Sequence, residues 1–154
     1  MPNKGKQNGA KQNGAKKPRA TRQYAALPYV ERDGETMVML VTSRETQRWV
    51  LPKGWAEKKL TGAELAAKEA YEEAGLRGEV ADQPVGSYAY QKRLANAATV
   101  RLQVDVYPLK VERELKRWPE KRERQRRWFS LAEAAMAVEE GELVTLLLRL
   151  AAPT

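Results

Sequence analysis

The 154-residue sequence contains neither cysteine nor histidine. The absence of cysteine excludes a disulfide framework, a zinc site built on thiolates and a cysteine nucleophile. The absence of histidine excludes serine–histidine triads and removes the usual nitrogen ligand of zinc, copper and iron. Catalysis by this chain must therefore use carboxylates, lysines, tyrosines or a metal ion held by oxygen. Oxygen-only sites select hard ions such as Mg²⁺, Mn²⁺ or Ca²⁺.

The sequence also lacks a long apolar run, since none approaches the roughly 20 residues that cross a bilayer. Its first residues are polar and small, so the apolar core of a signal peptide is missing as well. We therefore expect a cytoplasmic protein with no membrane partner. The oligomeric state stays open, because the apolar segment 143–150 suits either the core or an interface.

Acidic residues are missing from the first 22 positions, which hold seven of the 28 Lys and Arg residues. Positions 23–154 then carry 28 − 7 = 21 basic against 20 acidic groups, so the net charge of +8 is mostly a property of this segment. We expect residues 1–22 to form a disordered basic tail and residues 23–154 to form one folded domain. Such a tail either solubilises the protein or binds RNA or polyphosphate electrostatically.

The hydrophobic pattern from position 24 onward predicts strands, a helix, further strands and a second helical region. A capping box of Thr61 and Glu64 predicts the start of the first helix, and Gly75 suits its left-handed end. A second capping box, Ser130 with Glu133, opens the C-terminal helical region. We expect strands over 24–32, 36–43, 84–93 and 98–108, a loop over 53–60 and a charged surface crossing over 112–127. This order indicates an α+β fold, an α/β/α sandwich with a mixed sheet.

The segment KEAYEEAG, residues 68–75, places Glu69, Glu72 and Glu73 close together on the first helix. Glu69 and Glu73 are four residues apart and repel each other, and all three stand in the C-terminal half, where the helix dipole disfavours negative charge. Alanines cover one face of the same helix, so we expect the acids at the edge of a buried contact with the sheet. Two interpretations remain: a solvated acidic face, or a site for a divalent cation.

The longer segment GWAEKKLTGAELAAKEAYEEAGL, residues 54–76, resembles the Nudix box, G-x5-E-x7-R-E-U-x-E-E-x-G-U with U aliphatic. Glu69, Glu72 and Glu73 match the last three glutamates of the pattern, and Gly75 matches its second glycine. Leu60 stands where the pattern has its first glutamate, and Lys68 stands where it has arginine. Two further segments, VTSRETQRWVLPKGW and RRWFSLAEA, are similar to the diphosphoinositol polyphosphate phosphohydrolase branch of that family and its bacterial relatives.

The resemblance implies a metal-assisted hydrolase whose cofactor is Mg²⁺, with Mn²⁺ as an alternative. Glu69, Glu73 and the Gly54 carbonyl would be metal ligands, and Glu72 would accept the proton of the attacking water or complete the metal shell. Lys68 would take the place of the arginine that orients these glutamates. Lysine keeps the charge but lacks the planar fork of a guanidinium group.

The implied reaction is water attack on a diphosphate linkage of a small phosphorylated substrate, of the diphosphoinositol polyphosphate or dinucleoside polyphosphate type. Cationic side chains near the box are the candidates for binding its phosphates, and an indole could stack on the substrate or cover it. These candidates are Arg44, Arg48, Lys53, Lys58, Lys59 and Trp55. Two alternatives stay open: removal of pyrophosphate from RNA 5′ ends, guided by the basic tail, and a non-catalytic nucleotide-binding or regulatory module.

Overall fold

The computed structural model describes residues 22–153. The predicted tail lies outside these residues, apart from Arg22, which is the first residue of the first strand. Within the described part the chain forms eight strands and three helices, and no helix there has the length and apolar character to cross a membrane. The strands are β1 (Arg22–Arg32), β2 (Glu35–Thr42), β3 (Trp49–Val50), β4 (Lys53–Trp55), β5 (Leu76–Val80), β6 (Gly86–Arg93), β7 (Thr99–Glu114) and β8 (Arg126–Ser130). The helices are α1 (Gly62–Ala74), α2 (Leu131–Ala137) and α3 (Gly141–Ala151).

The strands form one mixed sheet with the order β3-β2-β1-β7-β5, in which β4 also pairs with β1, β6 with β7, and β8 with β2. The central strands β1 and β7 are parallel, and the other pairs among the described strands are antiparallel. The β1–β2 hairpin turns at Asp33 and Gly34, whose φ angles of 51° and 78° suit the mirror-image turns of two-residue hairpins. The expected mixed sheet and its first hairpin are confirmed.

Alternate side chains of the central strands enter two separate cores, as the period of two in a strand requires. Ala25 and Leu27 of β1 belong to the core beneath α2 and α3, whereas Ala26 between them belongs to the core beneath α1. The helices therefore cover opposite faces of the sheet. The predicted α/β/α sandwich in a single domain is confirmed.

Five strands differ from the sequence prediction, since β3, β4, β5 and β8 were not predicted and β7 is longer than expected. The predicted charged crossing over 112–127 is therefore shorter, because 112–114 belong to β7 and 126–127 belong to β8, which pairs with β2. Lys53–Trp55 lies in a strand and not in a loop, because it pairs with Gln23–Ala25 of β1. Leu76–Val80, which directly follows α1, forms the unpredicted strand β5 along the end of β7. The same pairing extends β7 to Glu114, beyond the expected end at 108. Each difference depends on a partner strand elsewhere in the chain, so local propensity does not show it.

Candidate active site

Helix α1 is held by local caps and by its alanine face. Thr61 accepts a hydrogen bond from the Glu64 backbone, the Glu64 side chain accepts one in return, and Gly75 ends the helix at φ 68°. Ala66, Ala70 and Ala74 are fully buried in the core beneath this helix. Their small side chains let the helix axis lie close to the sheet, which carries the neighbouring carboxylates inward.

That close approach buries two of the three box glutamates. Glu69 is 9% exposed and Glu73 is 7% exposed, whereas Glu72 is half-buried. Glu69 and Glu73 line a cavity of about 640 Å³ together with residues of the 43–48 loop, β4, the end of β6 and the segment before β8. The lining comprises Gln23, Ser43, Arg44, Glu45, Thr46, Arg48, Val50, Leu51, Lys53, Gly54, Trp55, Glu57, Glu69, Glu73, Tyr90, Gln91, Lys92, Arg93, Glu120 and Arg124.

The backbone of β4 lies directly against the Glu69 carboxylate. A Cβ atom added at Gly54 would stand 2.5 Å from Oε2 of Glu69, which is closer than real Cβ contacts come. Glycine at this position therefore lets a carboxylate and a strand backbone share the same corner of the cavity. This explains why the sequence has Gly54 at the start of the motif.

Burial disfavours the charged form of both inward glutamates. It raises the pKa of Glu73 to about 8, although the nearby Arg124 charge opposes the shift. Burial also raises the pKa of Glu69, while a hydrogen bond with Glu73 favours the charged form of Glu69. The raised pKa values favour a proton on this carboxylate pair when no cation is bound. A cation that binds between the two carboxylates would replace that proton, so Glu69 and Glu73 together form a candidate cation site.

Arg124 is a site residue that the sequence did not predict. Its Nη2 lies 3.6 Å from Oε2 of Glu73, its Nε donates to Glu120 at 2.7 Å, and its Nη1 donates to the Thr42 carbonyl at 3.0 Å. Trp118 helps fix the segment that carries it, since the indole Nε1 donates to the Glu73 carbonyl at 3.1 Å. Arg124 and Glu73 are 51 positions apart in the chain, so sequence spacing gave no signal for their contact.

The two other charged positions of the box, Lys68 and Glu72, lie outside the cavity lining. Lys68 donates to Glu57 Oε2 at 2.9 Å, and this bond raises the pKa of the lysine. The role predicted for Glu72, and the orienting role predicted for Lys68, stay predictions.

Most of the predicted phosphate-binding residues meet at the cavity. Arg44, Arg48, Lys53 and Trp55 line it, whereas Lys58 and Lys59 are exposed and lie outside its lining. Arg44 is paired with Glu123 at 3.0 Å, and that hydrogen bond raises the pKa of the guanidinium.

The far wall of the cavity comes from the end of β6. Tyr90 Oη donates to Gln23 at 2.9 Å, and the Lys53 ammonium lies 5.4 Å from the centre of the Tyr90 ring. Lys92 and Arg93 extend this wall. Lys92 was not predicted, because the pairing of β6 with β7 decides which side chains of β6 reach the cavity.

Comparison with known proteins settles the family. A sequence profile of the NUDIX domain matches residues 21–147. The chain belongs to the Nudix hydrolase family. Nudix hydrolase 12, mitochondrial, of Arabidopsis thaliana is 35% identical over 100 residues, covering 63% of this chain and 49% of that protein. Diphosphoinositol polyphosphate phosphohydrolase 2 of Rattus norvegicus is 27% identical over 120 residues, covering 77% and 63%. This Nudix chain spans about half the length of its Arabidopsis relatives.

Solved structures show the same Nudix fold. A binary complex of Caenorhabditis elegans Ap4A hydrolase superposes with a TM-score of 0.63 at 17% identity, over 84% of this chain and 94% of that one. The Escherichia coli dihydroneopterin triphosphate pyrophosphohydrolase superposes with a TM-score of 0.64 at 16% identity, over 85% and 94%. The NUDIX domain of Shewanella oneidensis NrtR, complexed with ADP ribose, superposes with a TM-score of 0.56 at 13% identity, over 87% and 92%.

The Nudix family generally uses divalent metal ions, and the donor chemistry here fits one. Among residues 22–153 no three acidic side chains converge as a preformed metal cluster. Mg²⁺, however, is commonly bound by one or two protein carboxylates plus substrate phosphates and water. The buried pair Glu69 and Glu73, without histidine or cysteine nearby, suits that mode of binding.

Proposed function

We propose that this protein is a Mg²⁺-dependent pyrophosphohydrolase that cleaves a diphosphate linkage in a phosphate-rich small molecule. The single observation that carries the proposal is the composition of the cavity. Two buried carboxylates with raised pKa values form one side of it, and a wall of arginine and lysine side chains faces them. A polyanion with a bound cation is the ligand that satisfies both sides at once.

Each side of the cavity has its own task in the reaction. Glu69 and Glu73 would hold Mg²⁺, with the Gly54 backbone beside them, and Mn²⁺ is the alternative ion of the same chemistry. When bound, such an ion supplies charge neutralisation and polarises a phosphorus–oxygen bond. Arg44, Arg48 and Lys53 would bind the phosphates and orient the linkage for attack by water.

Glu72 is our candidate for the residue that accepts the proton of the attacking water. It lies on the same helix as the inward pair, and it is more exposed than either of them. A carboxylate in that position remains accessible to water, and the chain contains no histidine that could serve instead. The Glu72→Gln variant tests this role, because it keeps the size of the side chain and removes its basicity.

The number of cations favours a substrate with several phosphates. The lining contains six cations, Arg44, Arg48, Lys53, Lys92, Arg93 and Arg124, and five carboxylates, Glu45, Glu57, Glu69, Glu73 and Glu120, and a bound Mg²⁺ would add two positive charges to this balance. Diphosphoinositol polyphosphates and dinucleoside polyphosphates both carry that density of negative charge. The rat relative is named for the first class and the nematode structure for the second.

One observation favours a second candidate, a Nudix-fold module that binds a nucleotide without cleaving it. Arg124 lies beside Glu73, and Glu72 does not line the cavity with Glu69 and Glu73. The Shewanella oneidensis domain of the same fold is described in complex with ADP ribose. Retained binding without turnover would decide for this candidate.

Hydrolysis of a panel of diphosphates, followed by chromatographic separation of the two phosphorylated products of each member, tests both candidates. The panel contains a diphosphoinositol polyphosphate, a dinucleoside tetraphosphate, ADP-ribose and a 5′-triphosphorylated RNA, each with Mg²⁺ and with a chelator. We expect Mg²⁺-dependent cleavage of at least one polyphosphate, abolished in Glu73→Gln and retained in Glu79→Gln, a control at an exposed position. Cleavage of no member would refute the enzyme proposal, and cleavage of the RNA alone would favour the RNA alternative.

A further inference from the structure

Glu140 is a buried carboxylate outside the box, at the residue that precedes α3. It is 8% exposed. Its side chain makes no capping hydrogen bond to the helix, although Glu140 occupies the capping position. Its Oε1 is the one buried side-chain oxygen or nitrogen within residues 22–153 that has no hydrogen-bond partner. Buried carboxylate oxygens are normally satisfied, so this position has a cost that needs a reason.

The contacts of the other carboxylate oxygen suggest that reason. Oε2 of Glu140 lies 3.4 Å from Nη1 of Arg48, which is 31% exposed and lines the cavity. Arg48 Nε donates to Thr46 Oγ1 at 3.2 Å. Contacts through both Nε and Nη1 fix the orientation of this planar guanidinium group. Among the described residues no acceptor contacts Nη2 of Arg48. The N–H groups of Nη2 therefore remain available to a ligand in the cavity.

Glu140 itself is not among the residues that line the cavity. It therefore acts on a ligand through Arg48, from behind the cationic wall. Burial beside a cation makes the pairing stronger and more directional than a pair at the surface.

We propose that Glu140 is a positioning residue that holds the Arg48 guanidinium in the orientation that receives a substrate phosphate. The inference rests on the proposed function of the cavity. It extends that function by assigning a role to a carboxylate that does not touch substrate or metal. By charge repulsion alone, an acid near an anion site weakens anion binding, so its removal should increase the affinity. If Glu140 positions Arg48, its removal should instead decrease the affinity.

The chain offers a matched control in the preceding residue. Glu139 also approaches Arg48 Nη1, at 3.7 Å, but its side chain is 69% exposed whereas that of Glu140 is 5% exposed. Glu139→Gln and Glu140→Gln remove the same charge at nearly the same place. A through-space effect would appear in both variants, with tighter anion binding in each. Positioning would appear in Glu140→Gln alone, with weaker binding.

Calorimetric titration with inorganic pyrophosphate in the presence of Mg²⁺ measures binding without requiring turnover. For Glu140→Gln we expect affinity to fall roughly tenfold, the size of one misaligned hydrogen bond to a charged group. Glu139→Gln should bind like the wild type. In the Arg48→Gln background the Glu140→Gln change should cause no further loss, because the residue it positions is already gone. On a turned-over substrate, Glu140→Gln should raise KM and leave kcat nearly unchanged.

Equal or tighter pyrophosphate binding by Glu140→Gln would overturn the proposal, as would additive losses in the double variant. Absence of pyrophosphate binding to the wild type would overturn it as well. Binding without turnover would refute the enzyme proposal and leave this one standing. Arg48→Lys keeps the test independent of the folding of the Glu140 variant. It retains the charge but loses the fork, so wild-type affinity in Arg48→Lys would also contradict positioning.

Discussion

Replacing Glu73 by glutamine should stabilise the metal-free protein. The side chain is 7% exposed, and burial raises its pKa from the ordinary 4.5 to about 8. Between these two values the folded state keeps a proton that the unfolded chain has released. The free energy of unfolding of the wild type therefore falls as pH rises through this interval. Glutamine does not titrate and resembles the protonated acid in shape, so Glu73→Gln escapes this loss.

The magnitude follows from the distance between the pH and the ordinary pKa. At pH 7 the interval above 4.5 is about 2.5 units, and each unit corresponds to about 1.4 kcal/mol. The stability gained by Glu73→Gln is then at most about 3.5 kcal/mol at pH 7 and close to zero near pH 4.5. The gain should stop growing above pH 8, where the folded protein also releases the proton.

Urea unfolding with a chelator present, repeated from pH 4.5 to 8.5, measures this difference. Glu79→Gln on β5 is the control, because that side chain is exposed and its replacement should change the unfolding free energy by less than about 0.5 kcal/mol. A Glu73→Gln protein that is less stable than the wild type at pH 7 would refute the reasoning. So would a stability difference that does not change with pH.

Three other substitutions test the geometry around the carboxylates. Gly54→Ala should lower kcat/KM by roughly a hundredfold, because the added Cβ displaces Glu69, while the unfolding free energy changes little. Turnover close to wild type would contradict that contact. Arg124→Gln should lower kcat/KM by roughly tenfold or more, because Glu73 would be misplaced. Arg122→Gln, at an exposed position, should leave kcat/KM unchanged, and equal rates in the two variants would show that Arg124 has no role in the site. The Lys68–Glu57 pair is half exposed, so a double-mutant cycle in urea should give a coupling of about 0.2–1 kcal/mol, and a coupling above about 2 kcal/mol would show a buried role.

Local rules predicted the parts of this fold that local interactions determine. The capping box at Thr61 and the left-handed end at Gly75 depend on residues within one helical turn, and both lie where the sequence placed them. The turn at Asp33-Gly34 is equally local. The alanine face of α1 predicted the close contact with the sheet and placed the acids at its edge, but it did not show that Glu69 and Glu73 are buried while Glu72 is half-buried.

Residues that reach the site through long-range pairing escaped prediction. Arg124 meets Glu73 because the segment before β8 folds back over the end of α1. Glu140 meets Arg48 across 92 positions of the chain. Lys58 and Lys59 were predicted at the site from their closeness in sequence to the box, yet they lie on the exposed side of the loop before α1. Neighbourhood in sequence indicates neighbourhood in space within one element, and much less across a loop.

The central claim is that Glu69 and Glu73 form a cation-dependent hydrolytic site. The most direct measurement is Mg²⁺-dependent cleavage of the polyphosphate panel by the wild type and by Glu73→Gln, with urea unfolding of the same two samples. We expect cleavage by the wild type that stops with chelator, and a Glu73→Gln protein that is inactive yet more stable without metal. Cleavage that persists in Glu73→Gln, or that needs no divalent ion, would contradict this claim.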